Sequence, residues 1–216
     1  MISNKSNYTD EEINDGRKLL ASQIDFVLGV ASLNQLPPDN VIDEVAFAGR
    51  SNAGKSSLIN AVTNRKSLAK TSNTPGRTQQ LNYFNLADKL YLVDLPGYGF
   101  AKAPESMVKQ WQRTIFAYLQ GRVNLKRVFL LIDSRHGIKK VDQEIMEMLD
   151  KAAVTYQIIL TKSDKIPTTE LAKVITDTQK IIKEHPAAYV DLIATSSEKG
   201  RGIDEVRAEI AKIANQ

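Results

Sequence analysis

The sequence predicts an α/β fold of three layers, in which helices cover both faces of a mostly parallel central sheet. From Arg127 onwards, apolar strand-like segments alternate with segments of helical spacing, and this alternation is typical of parallel βαβ units. A glycine-rich turn near residue 50 lies between a buried strand and a helix, which is where such sheets bind their ligands.

The composition excludes several classes of protein. The chain has 216 residues, 42% of them hydrophobic and 25% charged, with no cysteine and with histidine only at His136 and His185. Disulfide bonds, thiol catalysis and cysteine-ligated metals are therefore excluded, and two distant histidines do not form a metal site. There is no apolar run near 18 residues and no signal-peptide pattern, so we expect no membrane span and a cytoplasmic location. The net charge of +4 permits an acidic partner without requiring one.

The chain is expected to begin with an extension of the main domain. We expect residues 1–22 to form this N-terminal extension, helical or partly disordered, and residues 23–216 to form the main domain. Thr9 and Glu12 have the spacing of a capping box, which opens a helix. The apolar segment Gln23–Leu33 predicts a strand after that helix.

The segment Gly49–Ser56 fits the pattern G-x-x-x-x-G-K-[ST] of a loop that cradles phosphates. Its glycines let the backbone approach a phosphate, and its successive N–H groups form an anion-binding nest. The Lys55 ammonium can reach the terminal phosphates, and the Ser56 hydroxyl can ligate Mg²⁺. An apolar strand at 43–48 and helical spacing at 55–65 supply the context that the motif needs. The alternative is a glycine-punctuated turn without a ligand.

A long polar loop, a hairpin and an amphipathic helix are predicted next. The loop covers residues 66–79, has no apolar periodicity and lies on the surface. The hairpin strands are 80–86 and 90–93, and the second runs into Asp94–Gly97. The helix covers Glu105–Arg122.

The rest of the chain alternates between strands and helices. The predicted strands are 127–133, 155–160 and 189–194, and the predicted helices are 141–153, 169–184 and 203–214. Because the carboxyl ends of parallel strands meet at one edge of a sheet, the segments directly after them are expected to line one site. These segments are Gly49–Ser56, Asp94–Gly97, Thr161–Asp164 and Thr195–Ser197.

Asp94 is predicted to be the second anchor of Mg²⁺. A carboxylate at the end of the strand beside the phosphate loop holds the ion next to Ser56, usually through a water. Gly97 offers a backbone N–H to a third phosphate, and loss of that contact after hydrolysis would release the loop. The alternative is a strand-end Asp94 that only starts an Asx turn.

Asp164 is predicted to read a guanine base. Its two oxygens can accept from the ring N–H and the exocyclic amine of guanine, whereas adenine would leave a carboxylate lone pair unpaired. The Lys162 stem can lie over the base while its ammonium reaches the phosphate loop. A backbone N–H of Ser196 or Ser197 can donate to the guanine oxygen. The alternative is a solvated turn, because Thr-Lys-x-Asp alone is a weak signal.

A threonine of the polar loop is expected to complete the magnesium site. The loop contains Thr71, Thr74 and Thr78. Thr78 is the nearest of them to the following strand, and Pro75-Gly76 supplies a hinge before it. We therefore favour Thr78 over Thr74.

In this order the motifs resemble those of GTPases of the TRAFAC class, and most of all the bacterial EngB family. The narrower resemblance rests on Gly49–Ser57, Thr74–Gln79, Asp94–Ala101 and Asp133–His136. It implies a P-loop NTPase fold, a Ras-like G domain of EngB type over residues 23–216.

The resemblance also implies ligands and a biological role. It implies a switch that binds GTP or GDP with Mg²⁺, the metal being held by Ser56 and Thr78. It further implies a role in assembly of the large ribosomal subunit and in normal cell division and septation. The nucleotide-binding residues that it implies are Gly49, Arg50, Ser51, Asn52, Ala53, Gly54, Lys55, Ser56, Ser57, Gly76, Arg77, Thr78, Gln79, Gln80, Asp94, Leu95, Pro96, Gly97, Thr161, Lys162, Ser163, Asp164, Thr195, Ser196 and Ser197.

GTP hydrolysis without an activator is predicted to be slow. Many GTPases place a glutamine directly after the Asp-x-x-Gly stretch to orient the attacking water, and this chain has Tyr98 there. Lys55 and Gly97 remain as groups that act on the phosphates. Asn52 resembles the residue that positions K⁺ in related GTPases, where the cation neutralises transition-state charge. The alternative is that Asn52 only adopts a left-handed turn conformation.

Basic residues near the predicted site indicate either an RNA-facing surface or a solvated face. With the resemblance, the expected partner is the large ribosomal subunit or ribosomal RNA, without DNA, and the chain is expected to be a monomer. Two other functions stay open: an RNA-binding module with regulatory nucleotide binding and negligible turnover, and an ATP-dependent phosphotransferase. The basic residues form two groups, Arg50, Arg65, Lys66, Lys70, Arg77 and Lys102, and then Arg122, Lys126, Arg127, Arg135, Lys139 and Lys140.

Overall fold

A seven-stranded sheet forms the middle layer of the protein in the computed structural model. The structure describes residues 7–39, 41–69, 80–99 and 105–216, and for residues 105–112 it describes the backbone alone. The strands are β1 (Ile24–Val30), β2 (Asp43–Gly49), β3 (Leu81–Leu86), β4 (Leu90–Asp94), β5 (Leu125–Asp133), β6 (Tyr156–Thr161) and β7 (Ile193–Ala194). The helices are α1 (Asp10–Ala21), α2 (Lys55–Val62), α3 (Glu105–Gly121), α4 (Lys140–Lys151), α5 (Thr168–Ile182) and α6 (Ile203–Ala214).

The sheet is mostly parallel, as predicted. Its strand order is β1-β3-β4-β2-β5-β6-β7. β1 pairs with β3 and β3 with β4 in antiparallel fashion, whereas the other neighbours are parallel. The predicted hairpin is β3–β4, with its turn at residues 87–89. The central strands β2 and β6 are buried almost throughout, which explains their near-continuous apolar sequences.

Helices cover both faces of the sheet, so the predicted three-layer arrangement is confirmed. Alternate residues of β5 belong to two separate cores: Leu130 lies in one and Leu131 in the other. The first core is completed by α3, α4 and α5, and the second by α1, α2 and α6. Among the described residues, no helix is both long and apolar enough to cross a membrane.

The N-terminal helix α1 begins with the predicted capping box. The Thr9 hydroxyl accepts from the Glu12 N–H at 3.2 Å, and the Glu12 carboxylate accepts from the Thr9 N–H at 2.7 Å. The helix packs closely on α6, because a Cβ added to Gly16 would lie 2.6 Å from the backbone nitrogen of Ala208. Arg17 pairs with Asp204 of α6 at 2.5 Å. The predicted extension therefore shares a core with α6 and with α2, the helix that follows the phosphate loop.

A buried polar cluster fixes the C-terminal end of α3 to β2. Glu44 is fully buried, and its carboxylate pairs with the Arg122 guanidinium. The same carboxylate accepts from the Tyr118 hydroxyl at 2.9 Å, the Tyr83 hydroxyl at 3.3 Å and the Asn124 amide at 3.2 Å. The buried charge thus has the several partners that it needs.

The predicted strand over residues 189–194 is wrong in its first part, because the strand consists of Ile193–Ala194 alone. Tyr189 still donates its N–H to the Tyr156 carbonyl at 2.6 Å. After Tyr189 the chain leaves the strand pairing with β6 and returns to it only at Ile193. Val190 is 79% exposed, and the Gln157 side-chain amide donates to the Asp191 carbonyl at 3.1 Å. A side chain of β6 thereby replaces the backbone pairing that the sequence pattern predicts.

Candidate nucleotide-binding site

The phosphate loop joins β2 to α2 at the carboxyl edge of the parallel strands, as the motif predicts. β2 ends at Gly49 and α2 begins at Lys55. Gly54, directly before the helix, has a φ of +93°, a left-handed conformation that strains residues with side chains. Asn52 is also left-handed, with a φ of 66°, which is the conformation required by the alternative interpretation of that residue. The positive end of the α2 dipole is directed at this loop.

The lysine of the loop contacts the predicted magnesium anchor. The Lys55 ammonium is ion-paired with Asp94, and both side chains are largely buried, with exposed fractions of 11% and 8%. Among the described residues, no three His, Asp or Glu side chains converge as metal ligands. Nucleotide-bound Mg²⁺ does not need such a cluster, because it takes one or two protein ligands beside phosphates and waters. Asp94 and Ser56 therefore fit this ion.

The loop after β6 is attached directly to the phosphate loop. The Thr161 hydroxyl donates to the Ala53 carbonyl at 2.5 Å, and the Lys162 ammonium donates to the Asn52 carbonyl at 2.5 Å. The Lys162 ammonium thus reaches the phosphate loop, as predicted. These two contacts bring the segments that were predicted to read a base and to bind phosphates, more than a hundred residues apart in sequence, to one rim of the sheet.

Asp164 lies beside the segment that follows β7. Its carboxylate is hydrogen-bonded to the Ser196 hydroxyl, which lowers the pKa of Asp164 below its ordinary value, and Lys165 at 3.2 Å adds to the effect. The carboxylate is therefore ionised at neutral pH and acts only as an acceptor. Thr195 ties the two loops together, because its carbonyl accepts from the Ser163 N–H at 3.0 Å.

One of the two backbone N–H groups expected at the base site already has a partner. The Ser196 N–H already donates to the Arg201 carbonyl at 2.9 Å, so it is not the group that meets a base oxygen. Of the two N–H groups expected from the sequence, that of Ser197 therefore remains the candidate for a base oxygen. In addition, the Ser51 and Ser163 hydroxyls are buried and have no hydrogen-bond partner among the described residues.

The segment after β4 lies against the phosphate loop. The Ser51 N–H donates to the Tyr98 carbonyl at 2.9 Å, and the Tyr98 N–H donates to the Gly49 carbonyl at 3.2 Å. A Cβ added to Gly97 would lie 3.3 Å from the Cα of Ser51, so a larger residue would push the two segments apart.

The Tyr98 side chain is buried in the core. It is 3% exposed, and its hydroxyl donates to the fully buried Asp142 carboxylate of α4 at 2.8 Å. Arg50 approaches the other Asp142 oxygen at 3.2 Å. Burial, together with the Asp142 charge, raises the pKa of the Tyr98 phenol well above its ordinary value, so the phenol remains a hydrogen-bond donor.

Two candidate functional residues were given no role by reasoning from the sequence: Asp133, which was named only within the segment Asp133–His136, and Asp142. Asp133 ends β5 and accepts from the Lys162 ammonium at 2.8 Å. The rule that strand ends carry the chemistry would have found it. Asp142 accepts from the Lys139 N–H at 2.8 Å at the start of α4. Its contact with Tyr98 has no local sequence signal.

The structure corrects the predicted basic surface. Arg122 is buried against Glu44, and Arg127 pairs with Glu209 while its guanidinium stacks 4.1 Å from the Tyr189 ring centroid. Arg50 is ion-paired with the buried Asp142 carboxylate at 3.2 Å. The loop residues Gly76, Arg77, Thr78 and Gln79, and the basic residues Lys70 and Lys102, lie outside the described residues.

The chain is similar to proteins of one family. A family model described as a 50S ribosome-binding GTPase matches residues 44–162. The chain is 58% identical over 198 residues to the probable GTP-binding protein EngB of Jannaschia sp. (strain CCS1), a match that covers 92% of this chain and 90% of that protein. It is 51% identical over 213 residues to the probable GTP-binding protein EngB of Caulobacter vibrioides (strain NA1000 / CB15N), covering 99% and 93%.

Solved structures show the same fold. A crystal structure of a probable GTP-binding protein EngB superposes with a TM-score of 0.64 at 22% identity, over 80% of this chain and 98% of that chain. Era in complex with MgGDPNP and nucleotides 1506–1542 of 16S ribosomal RNA superposes with a TM-score of 0.60 at 24% identity, over 80% and 56%. With these similarities and the geometry of its phosphate loop, the chain belongs to the EngB family of GTP-binding proteins and has the fold of a P-loop GTPase.

Proposed function

We propose that this protein is a Mg²⁺-dependent GTPase that acts as a nucleotide switch in the assembly of the large ribosomal subunit. The observation that carries the proposal is the convergence of the loops: Thr161 and Lys162 bond to the phosphate loop, and Asp164 lies two residues further on. The description of the matching family as 50S ribosome-binding supports the ribosomal part. By resemblance, we propose that the switch works in the cytoplasm as a monomer and is needed for normal cell division and septation.

Guanine is proposed to be read by Asp164 and Ser197. The ionised Asp164 carboxylate accepts from the ring N–H and the exocyclic amine of guanine, and the Ser197 N–H donates to the guanine oxygen. Adenine offers no ring N–H at that edge. An adenine ring would therefore cover the carboxylate without supplying the two donors of guanine, which would make adenine binding much weaker.

The phosphates and Mg²⁺ are proposed to redistribute the contacts of Lys55. Here Lys55 neutralises Asp94, and with nucleotide bound its ammonium is expected to pair with phosphate oxygens instead. Asp94 then becomes available, with Ser56 and Thr78, to hold Mg²⁺, which neutralises phosphate charge when it is bound. Gly97, which lies against Ser51 of the loop, is proposed to offer its N–H to a third phosphate.

Hydrolysis is proposed to be slow without an activator. The side chain directly after Gly97, Tyr98, is buried and bonded to Asp142, so it is not positioned to orient an attacking water. An outside group or cation must then supply what a glutamine supplies elsewhere. We propose K⁺ held at Asn52 as one such cation, and equal hydrolysis rates in Na⁺ and K⁺, measured with ribosomal subunits present, would disprove it.

The ribosomal partner is proposed to contact the exposed basic residues near the site. Arg65, Lys66, Lys139 and Lys140 are exposed, in contrast to the buried Arg122 of the same predicted set. Contacts of such residues to RNA phosphates make binding weaken steeply as salt rises.

The base-reading proposal is tested by titrating the purified protein with GDP, ADP and XDP. Wild-type protein is expected to bind GDP at least about a hundredfold more tightly than ADP. Asp164→Asn should shift preference towards xanthine, because an amide can donate to the additional oxygen. Equal affinity for ADP and GDP would refute the assignment of Asp164.

The ribosomal proposal is tested by co-sedimentation with ribosomal subunits in GDP and in a non-hydrolysable GTP analogue, over a range of salt. We expect binding to the large subunit that depends on the nucleotide and weakens with salt. Single-turnover GTP hydrolysis with and without subunits then separates a GTPase from an RNA-binding module whose nucleotide only regulates it. Turnover that stays negligible in both would favour the second function.

A further inference from the structure

We propose that Asp133 is a positioning residue for nucleotide recognition, because it holds the Lys162 ammonium between the base-reading loop and the phosphate loop. The inference rests on the guanine site proposed above and assigns a role to a residue that does not itself contact the nucleotide. Asp133 is the last residue of β5, between the phosphate loop on one side and the loop after β6 on the other.

The contacts of Lys162 identify Asp133 as one of its two anchors. The Lys162 ammonium donates to the Asp133 carboxylate at 2.8 Å and to the Asn52 carbonyl at 2.5 Å. The carbonyl alone is a neutral acceptor on a glycine-rich loop, whereas the carboxylate ends a buried strand and is itself 3% exposed. Asp133 is therefore the rigid and charged member of the pair.

The backbone of Lys162 shows why an anchor is needed. Lys162 has a φ of 56°, in the left-handed region that residues with side chains rarely adopt. Such a conformation persists only where the surroundings fix it. The ammonium end is held by Asp133 and Asn52, while the neighbouring Thr161 is held by Ala53. The side chain of Lys162 thus spans the rim at the place where a base must enter.

Arg135 fixes the Asp133 carboxylate in turn. Its guanidinium donates to both oxygens of Asp133, at 3.0 Å and 2.7 Å. Burial alone would raise the pKa of Asp133, but the hydrogen bonds from Arg135 and Lys162 outweigh it and hold the pKa well below its ordinary value. The carboxylate is therefore ionised under all physiological conditions, and it holds Lys162 as a permanent charge.

Asp133 has a structural role in the turn after β5 and a separate role in holding Lys162, and one substitution can distinguish them. The Asp133 backbone carbonyl accepts from the N–H groups of His136 and Gly137 at 3.0 and 3.1 Å, and one carboxylate oxygen accepts from the Arg135 N–H at 3.1 Å. Asp133→Asn retains an oxygen for these turn contacts. It removes the charge that holds Lys162.

The test is a double-mutant cycle in the full chain, with GDP affinity and thermal stability without nucleotide as readouts. The variants are Asp133→Asn, Lys162→Met, which keeps the apolar stem, and both together. We expect each single variant to bind GDP about tenfold more weakly, equivalent to about 1.4 kcal/mol. In the Lys162→Met background, Asp133→Asn should change GDP affinity by less than about twofold.

The matched control is Asp150→Asn, near the opposite edge of the sheet. The Asp150 carboxylate likewise accepts a hydrogen bond from a backbone N–H, that of Ala187 at 3.0 Å, and contacts a side-chain nitrogen, Nδ1 of His185 at 2.6 Å. Its substitution should leave GDP affinity unchanged whatever it does to stability. If Asp133→Asn weakens GDP binding equally with and without Lys162, or not at all, the positioning role is wrong. If the wild-type protein does not bind GDP, the proposed function itself fails.

Discussion

Replacing Tyr98 by phenylalanine separates a structural from a chemical role for the residue that follows Gly97. The substitution removes only the hydroxyl, which donates to the Asp142 carboxylate at 2.8 Å in a fully buried setting. A buried hydrogen bond to a charged group contributes about 1.5–3 kcal/mol. Asp142 keeps the Lys139 N–H at 2.8 Å and the nearby Arg50 at 3.2 Å, so the acceptor is not left alone. The lower end, about 1.5 kcal/mol, is therefore expected.

The assays are thermal unfolding without nucleotide and single-turnover GTP hydrolysis. For a chain of this size, about 1.5 kcal/mol lowers the Tm by roughly 3–6 °C. Hydrolysis should stay within about twofold of the wild-type rate, because the phenol is buried and its hydroxyl is bonded to Asp142. Tyr91→Phe on β4 is the matched control, since Tyr91 is only partly buried, and it should change stability by less than about 0.5 kcal/mol. A wild-type Tm with a tenfold loss of hydrolysis would refute the reasoning.

Three further predictions concern the scaffold. Gly16→Ala should destabilise the protein by about 1–3 kcal/mol in urea unfolding, because the new Cβ would lie 2.6 Å from the backbone of Ala208; stabilisation, as helix propensity alone predicts, would contradict the packing of α1 on α6. Glu44→Ala should lower the free energy of unfolding by about 3–5 kcal/mol, since it leaves the Arg122 guanidinium buried without its carboxylate. A loss below about 1 kcal/mol would show that water solvates the Arg122 guanidinium in the variant. The Arg17 hydrogen bond holds the pKa of Asp204 below its unfolded value, so the stabilisation that this pair gives the fold is present above about pH 4 and is lost as the pH falls further towards the folded pKa. The free energies of unfolding of wild type and Asp204→Asn, measured against pH, should differ by a constant amount above about pH 5 and converge in acid. Parallel curves at every pH would exclude this linkage.

Much of the fold could be predicted because its signals are local. The helix at Ile203–Ala214 and the capping box of Thr9 follow from spacing and from side-chain to backbone contacts within one turn. The phosphate loop was predictable because a backbone that wraps a phosphate tolerates few residue types. The strand at residues 189–194 failed because Gln157, from a neighbouring strand, replaces its pairing, and no local pattern carries that information.

The sequence by itself determined the order of the elements, the phosphate loop, and which polar residues lie at the ends of the strands. These depend on periodicity and on backbone geometry, which short segments encode. Only the tertiary structure decided which partner each polar group takes: Tyr98 bonds to Asp142, the Ser196 N–H bonds to Arg201, and Asp133 bonds to Lys162. The Tyr98 and Asp133 contacts join segments that are far apart in the chain, whereas Ser196 and Arg201 belong to one loop. In each case a buried polar group takes whichever partner the packing places within hydrogen-bond distance.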